Sequence, residues 1–343
     1  MSKSKRISMS SWLLLISYAL IMIALVWQSL LPLFAELSFR NGYGFDVFKR
    51  YKYAIEELRE TVHYAPWEPH YQFKLASYYE KYAQSLQDPA KKIAAFEQAL
   101  DVLKTCIELD QYNPWYRNRV TIIYASLIQI DPERYAHYHP LIRENIQIAA
   151  ELDSENPLFL MKYATMLHQE NQPDQASAYY RKVVTIDPSF LTAWYNLAMI
   201  RQSEGDFSGA LSDLLQLQKE SPDYPGISRL IGSLYIQLGE ISNAIFHLEQ
   251  AQSKGTDLLD IEMSLAALYF QNKQFMDAVR TYESIQGHSP DQFNTVRVFY
   301  IQALSNAGKI PKAARLCQQY LQETPNDPDL LSAYQTIRNY LER

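Results

Sequence analysis

An all-α chain of stacked helical hairpins behind one apolar amino-terminal helix is the fold this sequence predicts, and three observations carry it. Ala176, Ala210, Ala244 and Ala278 recur every 34 residues, as do Pro188 and Pro222, and Gly205 and Gly239. Within one such period, Trp194, Leu197 and Ala198 fall at i, i+3 and i+4 on one helical face, and Leu211, Leu214, Leu215 and Leu217 form a second apolar face. Pro188 fits a helix start, Gly205 a left-handed stop between the two helices, and Pro222 closes the unit. An uncharged run from Ile7 to Ala35 precedes the first period.

From the amino terminus, Lys3, Lys5 and Arg6 form a basic tail (residues 1–11) ahead of an apolar segment, residues 12–35. Its heart, Trp12 to Phe34, is 23 residues; at about 1.5 Å per residue it reaches roughly 34 Å, enough for a bilayer core. Trp12 and Trp27 suit interface positions. A basic start followed by an apolar core also fits a cleaved signal peptide. Leu33-Phe34-Ala35 lacks the small residue at the third position back, so an uncleaved transmembrane anchor is expected. The basic tail places the amino terminus in the cytoplasm and the repeats in a periplasm or equivalent space, against the pull of Arg40, Lys49, Arg50 and Lys52 on the other side.

The repeats follow over residues 36–326, with units near 36–66, 69–111, 114–154, 157–188, 191–222, 225–256, 259–290 and 294–325. No Gly/Ser/Pro-rich segment separates Phe34 from Gly42, so anchor and first hairpin are expected to be one piece. Pro69, Pro114 and Pro157 each open a first helix but lie 45 and 43 residues apart. The excess falls near Gln84 to Lys91 and Gln129 to Pro140, as extended helix ends or as loops projecting from one edge. Ala198, Gly232 and Ala266 occupy the eighth position of successive first helices, where a small side chain lets helices approach to about 8–10 Å. Residues 327–343 read as a single capping helix with Gln335, Arg338, Asn339 and Glu342 on its polar side.

Composition agrees with a folded chain: 48% of residues are hydrophobic and 20% charged, with ten glycines among 343 residues. The net charge of −6 gives no global case for nucleic acid. Two cysteines, Cys106 and Cys317, exclude a disulfide framework and fall on second helices where the pattern demands core residues.

Trp194, Leu197, Ala198, Gly205, Phe207, Ala210 and Pro222 resemble the tetratricopeptide repeat (TPR) almost position for position. Gly232, Tyr235, Gly239, Ala244 and Ala251 do so again, as do Ala266, Tyr269, Phe275, Ala278, Tyr282 and Pro290. The resemblance covers about 40–343. It implies a right-handed superhelix of about eight hairpins whose inner groove, lined by first helices, binds peptides or partner proteins, and it implies no reaction. The front half, with Phe34-Ala35-Glu36, Trp67-Glu68-Pro69-x-Tyr71 and long early repeats, resembles the repeat-bearing carboxyl-terminal part of O-antigen ligase-type membrane proteins, without their many membrane helices.

Chemistry is sparse. His137-x-His139 is the one close histidine pair, with neither cysteine nor carboxylate at metal-ligand spacing apart from Glu133. There is no phosphate-binding glycine loop, no Gly-x-Ser-x-Gly and no His-Glu-x-x-His. No catalytic residue, metal site or cofactor is expected.

One row stands out on the expected groove. The sixth positions of units two to five are Lys74, Arg119, Lys162 and Asn196, and Arg229 sits at the fifth position of the next. Phe73, Trp115, Met161 and Tyr195 lie beside them. In an acidic chain, cations in a row are a candidate track for an acidic peptide or a carboxylate. The expected function is a non-catalytic, membrane-tethered scaffold that binds a protein or peptide partner in envelope assembly. The alternative is an accessory module of envelope polysaccharide assembly or ligation, with a glycan as ligand. Carboxyl-terminal fusions to a periplasm-dependent reporter are expected to be active, and fusions to a cytoplasm-dependent reporter silent; the reverse pattern would invert the topology.

Overall fold

The computed structural model describes residues 9–255 and 258–341. Lys3, Lys5 and Arg6 of the basic tail, and Glu342 of the expected cap, lie outside them. Every element of secondary structure among the described residues is helical. The chain forms two compact units divided between Gln172 and Pro173.

The first unit opens on α1 (Met9–Val47), one uninterrupted helix of 39 residues. From Leu14 to Leu30 every side chain is exposed. The first buried residue is Ala35, and beyond it Gly42 lies against Ala54 and Leu58 of α2 (Tyr51–Tyr64). The helix is thus long and apolar enough to cross a membrane over its first part, and packed as the first hairpin over its second. Next come α3 (Pro69–Ser85), α4 (Pro89–Leu109) and α5 (Pro114–Ile130). A short turn, α6 (Pro132–Tyr135), leads into α7 (His139–Leu152), and α8 (Pro157–Gln169) closes the unit.

The second unit comprises α9 (Pro173–Ile186), α10 (Leu191–Ser203), α11 (Phe207–Glu220), α12 (Ile227–Gln237) and α13 (Ile241–Ser253). It continues with α14 (Leu258–Gln271), α15 (Phe275–His288), α16 (Pro290–Asn306) and α17 (Ile310–Glu323). It ends on α18 (Pro328–Leu341), which buries Leu330 and Ile337 and exposes Gln335, Arg338 and Asn339.

Local sequence explains where these helices start and stop. Asp88, Asn113 and Asn156 each precede a proline, and each side chain accepts the backbone N–H two residues on, capping α4, α5 and α8 while proline fills the first helical position. The hairpin turns carry the period most faithfully. Asn171, Gly205, Gly239, Lys273 and Gly308 all adopt positive φ, between 59° and 81°. In each case the following N–H bonds back five residues: Gln172 to Leu167, Asp206 to Arg201, Glu240 to Tyr235, Gln274 to Tyr269 and Lys309 to Leu304, at 2.8–2.9 Å. This is the Schellman closure, and it is kept even where lysine replaces glycine.

The small-residue seam is equally regular. Ala176, Ala210, Ala244 and Ala278 are wholly inaccessible to solvent, as are Ala76, Ala164, Ala198 and Ala266. At Gly232 the approach is closest: an added Cβ would lie 2.8 Å from Leu248 Cγ.

Two expectations, on Pro188 and on Leu215, need correction. Pro188 does not open α10: Asp187 accepts the Ser189 N–H in a tight turn and the helix begins at Leu191. Pro222 does close its unit, directly after α11 ends at Glu220, and a turn that ends in left-handed Gly226 separates it from α12. Leu215 is exposed because it is adjacent to Leu214, about 100° round the helix from the stripe that Leu214 and Leu217 bury. The excess residues near Gln84 to Lys91 take the first of the two expected forms, extending α3 and α4 to 17 and 21 residues about a short connection at Leu86 to Asp88. Those at Gln129 to Pro140 coil into α6 and a single 3-10 turn, pinned by buried Tyr135, whose hydroxyl donates to Glu97 at 2.8 Å.

The turn geometry predicts opposite effects at two equivalent positions. Gly205→Ala is expected to cost about 1 kcal/mol, because alanine must hold a left-handed conformation, and Lys273→Gly to gain up to about 1 kcal/mol by relieving one. Urea unfolding of the full chain in detergent checks both signs.

Candidate functional site

The expected row splits between the two units, and each part has its own geometry. In the first unit, Phe73 and Lys74 sit half-buried on α3, Arg119 half-buried beside exposed Trp115 on α5, and Met161 and Lys162 half-buried on α8. Arg119 is not available as a free cation. Its Nη1 lies 3.1 Å from Glu80 Oε2 and donates to Oε1 at 3.4 Å, and the guanidinium also lies over the Phe73 ring, 5.7 Å from its centroid. Glu80 is buried on α3 between Tyr79 and Ala83, and burial pushes its carboxyl up against the opposing pull of Arg119.

Lys162 is drawn into the same network: its ammonium donates to the Asn118 amide oxygen, one residue before Arg119. Burial holds the Lys162 pKa below the usual range, and the Arg119 charge lowers it further. Phe73 packs against Tyr116 at 5.2 Å, and Trp115 meets Phe159 edge-on at 5.0 Å while leaving 45% of its own surface exposed. Lys74 makes no hydrogen bond or ion pair with another described residue. The structure therefore brings together Phe73, Arg119 and Lys162 through two partners, Glu80 and Asn118, and leaves an exposed tryptophan beside them.

In the second unit, Asn196 donates to the hydroxyl of buried Tyr180 at 3.0 Å, so its amide positions one helix on another. Tyr195 lies 6.2 Å from Tyr224, and these rings line a shallow groove with Pro225, Leu230 and Arg229.

Sequence spacing located the row but missed the groups that hold it: Glu80, Asn118, Tyr180 and Tyr224. A signal for Glu80 was present. It is an acid on the face that Ala76 and Ala83 bury, where an unpartnered carboxylate would be costly.

His137 and His139 are exposed, and the His137 ring rests on the Arg134 carbonyl at 3.1 Å. Among the described residues no three His, Cys, Asp or Glu side chains cluster as a metal site. Cys106 and Cys317 are free thiols, each buried in the core of its own unit, where burial pushes them up to about 12 and about 11.

With this geometry in place, comparison with known proteins is informative about the fold. The tetratricopeptide-repeat family model matches residues 159–190 and 230–253. The chain thus carries tetratricopeptide repeats, and its all-α hairpin architecture is of that class. Among solved structures it is similar to YrrB, described as a TPR protein with an unusual peptide-binding site, at 15% identity over 56% of this chain and 99% of that one, with a TM-score of 0.47. It is similar to Naa15/Naa10 bound to HypK-THB, at 15% identity over 86% of this chain and 43% of that one, with a TM-score of 0.52. A third is pilF of Pseudomonas aeruginosa, at 14% identity over 65% and 92%, with a TM-score of 0.43. Likeness at these identities is one of fold, and this chain spans less than half the length of the Naa15/Naa10 relative. Comparison with curated proteins finds no match.

The Arg119–Glu80 pair generates a test. Because burial raises the folded-state pKa of Glu80, the native state holds the proton more tightly, and this group's contribution to stability falls as pH rises through that range. Arg119→Leu leaves the carboxylate without its counter-charge and is expected to cost about 2–3 kcal/mol near pH 7.5, at the low end for a buried pair since the arginine is partly solvated. The deficit should shrink near pH 5 and be largely recovered by adding Glu80→Gln, as read by urea midpoints.

Proposed function

We propose that the chain is a membrane-tethered scaffold that binds a peptide or protein partner on the first-helix face of its first unit, around Trp115, Lys74 and Lys162. The single observation that carries this reading is Trp115. An indole 45% exposed at the start of α5, backed edge-on by Phe159 and flanked by half-buried cations, is the kind of aromatic anchor on which interface energy concentrates. Lys74 and Lys162 favour an acidic or carboxylate-bearing segment, while Arg119 is committed to Glu80 and supports the face instead of the ligand. Asn196, Tyr195 and Arg229 offer a second, separate contact surface in the other unit.

Tethering rests on α1. A partner resident in or near the same membrane is met at raised effective concentration, without any new contact. The basic tail favours the repeats on the extracytoplasmic side, which fits an envelope assembly.

Two variants separate this reading from solvated decoration: Trp115→Ala, and the pair Lys74→Glu with Lys162→Glu, both leaving the Arg119–Glu80 ion pair in place. In pull-downs of the full chain from detergent-solubilised membranes, each is expected to reduce recovery of the specific partner at least about tenfold, a loss of roughly 1.4 kcal/mol, with unchanged circular dichroism. Equal recovery by both variants and the parent would remove this face as the binding site.

A further inference from the structure

We propose that the corner between α2 and α3, residues 64–70, is a second membrane contact: it rests in the headgroup layer where α1 leaves the bilayer, with Trp67 as its anchor. The inference rests on the reading of α1 as a membrane span.

Depth along α1 supplies the first step. A span that begins at Trp12 uses about 20 residues to cross a hydrocarbon core of roughly 30 Å, so it ends close to Leu31 and Leu33. The burial pattern agrees. Side chains are exposed all round the helix as far as Leu30, and Ala35 is the first to be fully covered. Pro32 sits at this level and cannot donate to the Gln28 carbonyl. A freed carbonyl is costly in hydrocarbon and tolerable where water reaches it.

The corner lies at the same level. Trp67 and Ala65 line one groove with Pro32, Glu36 and Phe39. An aromatic ladder runs from the span into the corner: Trp27 to Phe34 at 5.9 Å, then Phe34 to Tyr64 at 5.7 Å. The register is held from the other side by α3, where Tyr71 donates to Glu36 Oε2 at 3.3 Å and packs against Phe39, the rings tilted at 45° with centroids 5.2 Å apart. The corner therefore cannot change depth without breaking contacts on two helices.

Trp67 is what the arrangement presents outward. It is 54% exposed, and Pro66 beside it is also exposed. Indole combines a large apolar body with one N–H donor, and it concentrates at the boundary between headgroups and acyl chains. Glu36 is already engaged by Arg40 at 2.9 Å and by Tyr71, so the patch presents no net cationic demand for an anionic headgroup. The partner is the interfacial layer of any fluid bilayer, including a zwitterionic one.

Five tryptophans make the test direct. Full-length variants keeping only Trp67, only Trp27 or only Trp115, with the others changed to Phe, are reconstituted in phosphatidylcholine vesicles. Quenching is read with lipid labelled near the carbonyl or near the chain end. Trp27 reports the span, and Trp115 the body. Shallow label is expected to quench Trp67 by about twofold or more, deep label to leave it nearly unchanged, and neither to affect Trp115. In the otherwise native chain, Trp67→Phe alone should reduce the shallow-quenched component and leave the part due to Trp12 at the far boundary of the span, which keeps the test valid if a multiply substituted chain misfolds. Trp27 quenched with Trp67 unquenched by either label would overturn the second contact and leave the anchor standing. Trp27 unquenched at both depths would overturn the anchor and the contact together.

Discussion

Close approach of helices through alanine and glycine is the constraint on which both units depend. A hairpin of two short amphipathic helices has too little apolar surface of its own, so it must present a flat, small-residue stripe to its partner and a bulky one to its neighbours. Ala76, Ala198 and Ala266, with no solvent exposure, and Gly232 against Leu248 supply the first; Leu103, Ile123, Leu214 and Leu217 supply the second. The left-handed closures at Asn171, Gly205, Gly239, Lys273 and Gly308 then return the chain at a fixed length, which keeps the stripe in register. Spacing and packing are two expressions of one geometry.

The amino-terminal helix obeys that geometry for only half its length. From Ala35 onward α1 is an ordinary first helix, and Gly42 fills the small position against α2. Before it, leucines, isoleucines and tryptophans project in every direction with nothing of the protein to cover them. A core helix would be buried and a surface helix would carry a polar face; this one has neither. Continuity has a mechanical consequence, because no flexible linker lets the first hairpin drift relative to the segment that precedes it.

Much of this was legible in the sequence because periodicity reports packing. The alanine row, the stop glycines and the apolar amino-terminal run each had a direct physical meaning, and the helices fall where they indicate. Legibility failed where a residue has two structural uses. Proline after an acid or amide opens α4, α5 and α8, yet at Asp187-Pro188 the same pair makes a turn, and the choice is decided by packing that no local spacing encodes. The early insertions left two forms open, since length alone does not distinguish a projecting loop from longer helices. In the candidate site, spacing singled out Arg119 but did not reveal Glu80, 39 residues earlier, which takes up its charge. Long-range ion pairs are invisible to periodicity.

Stacked hairpins build both units, and on the proposed reading the start of α1 lies in lipid while the face around Trp115 meets its partner in water. The claim that most needs testing is that the apolar segment stays attached and in the bilayer. Alkaline carbonate extraction of membranes carrying the full chain, followed by intact mass of the recovered protein, tests it most directly. The account predicts a chain that remains in the membrane pellet with residues 1–35 still attached. Recovery in the supernatant, or of a product that lacks this segment, would contradict it.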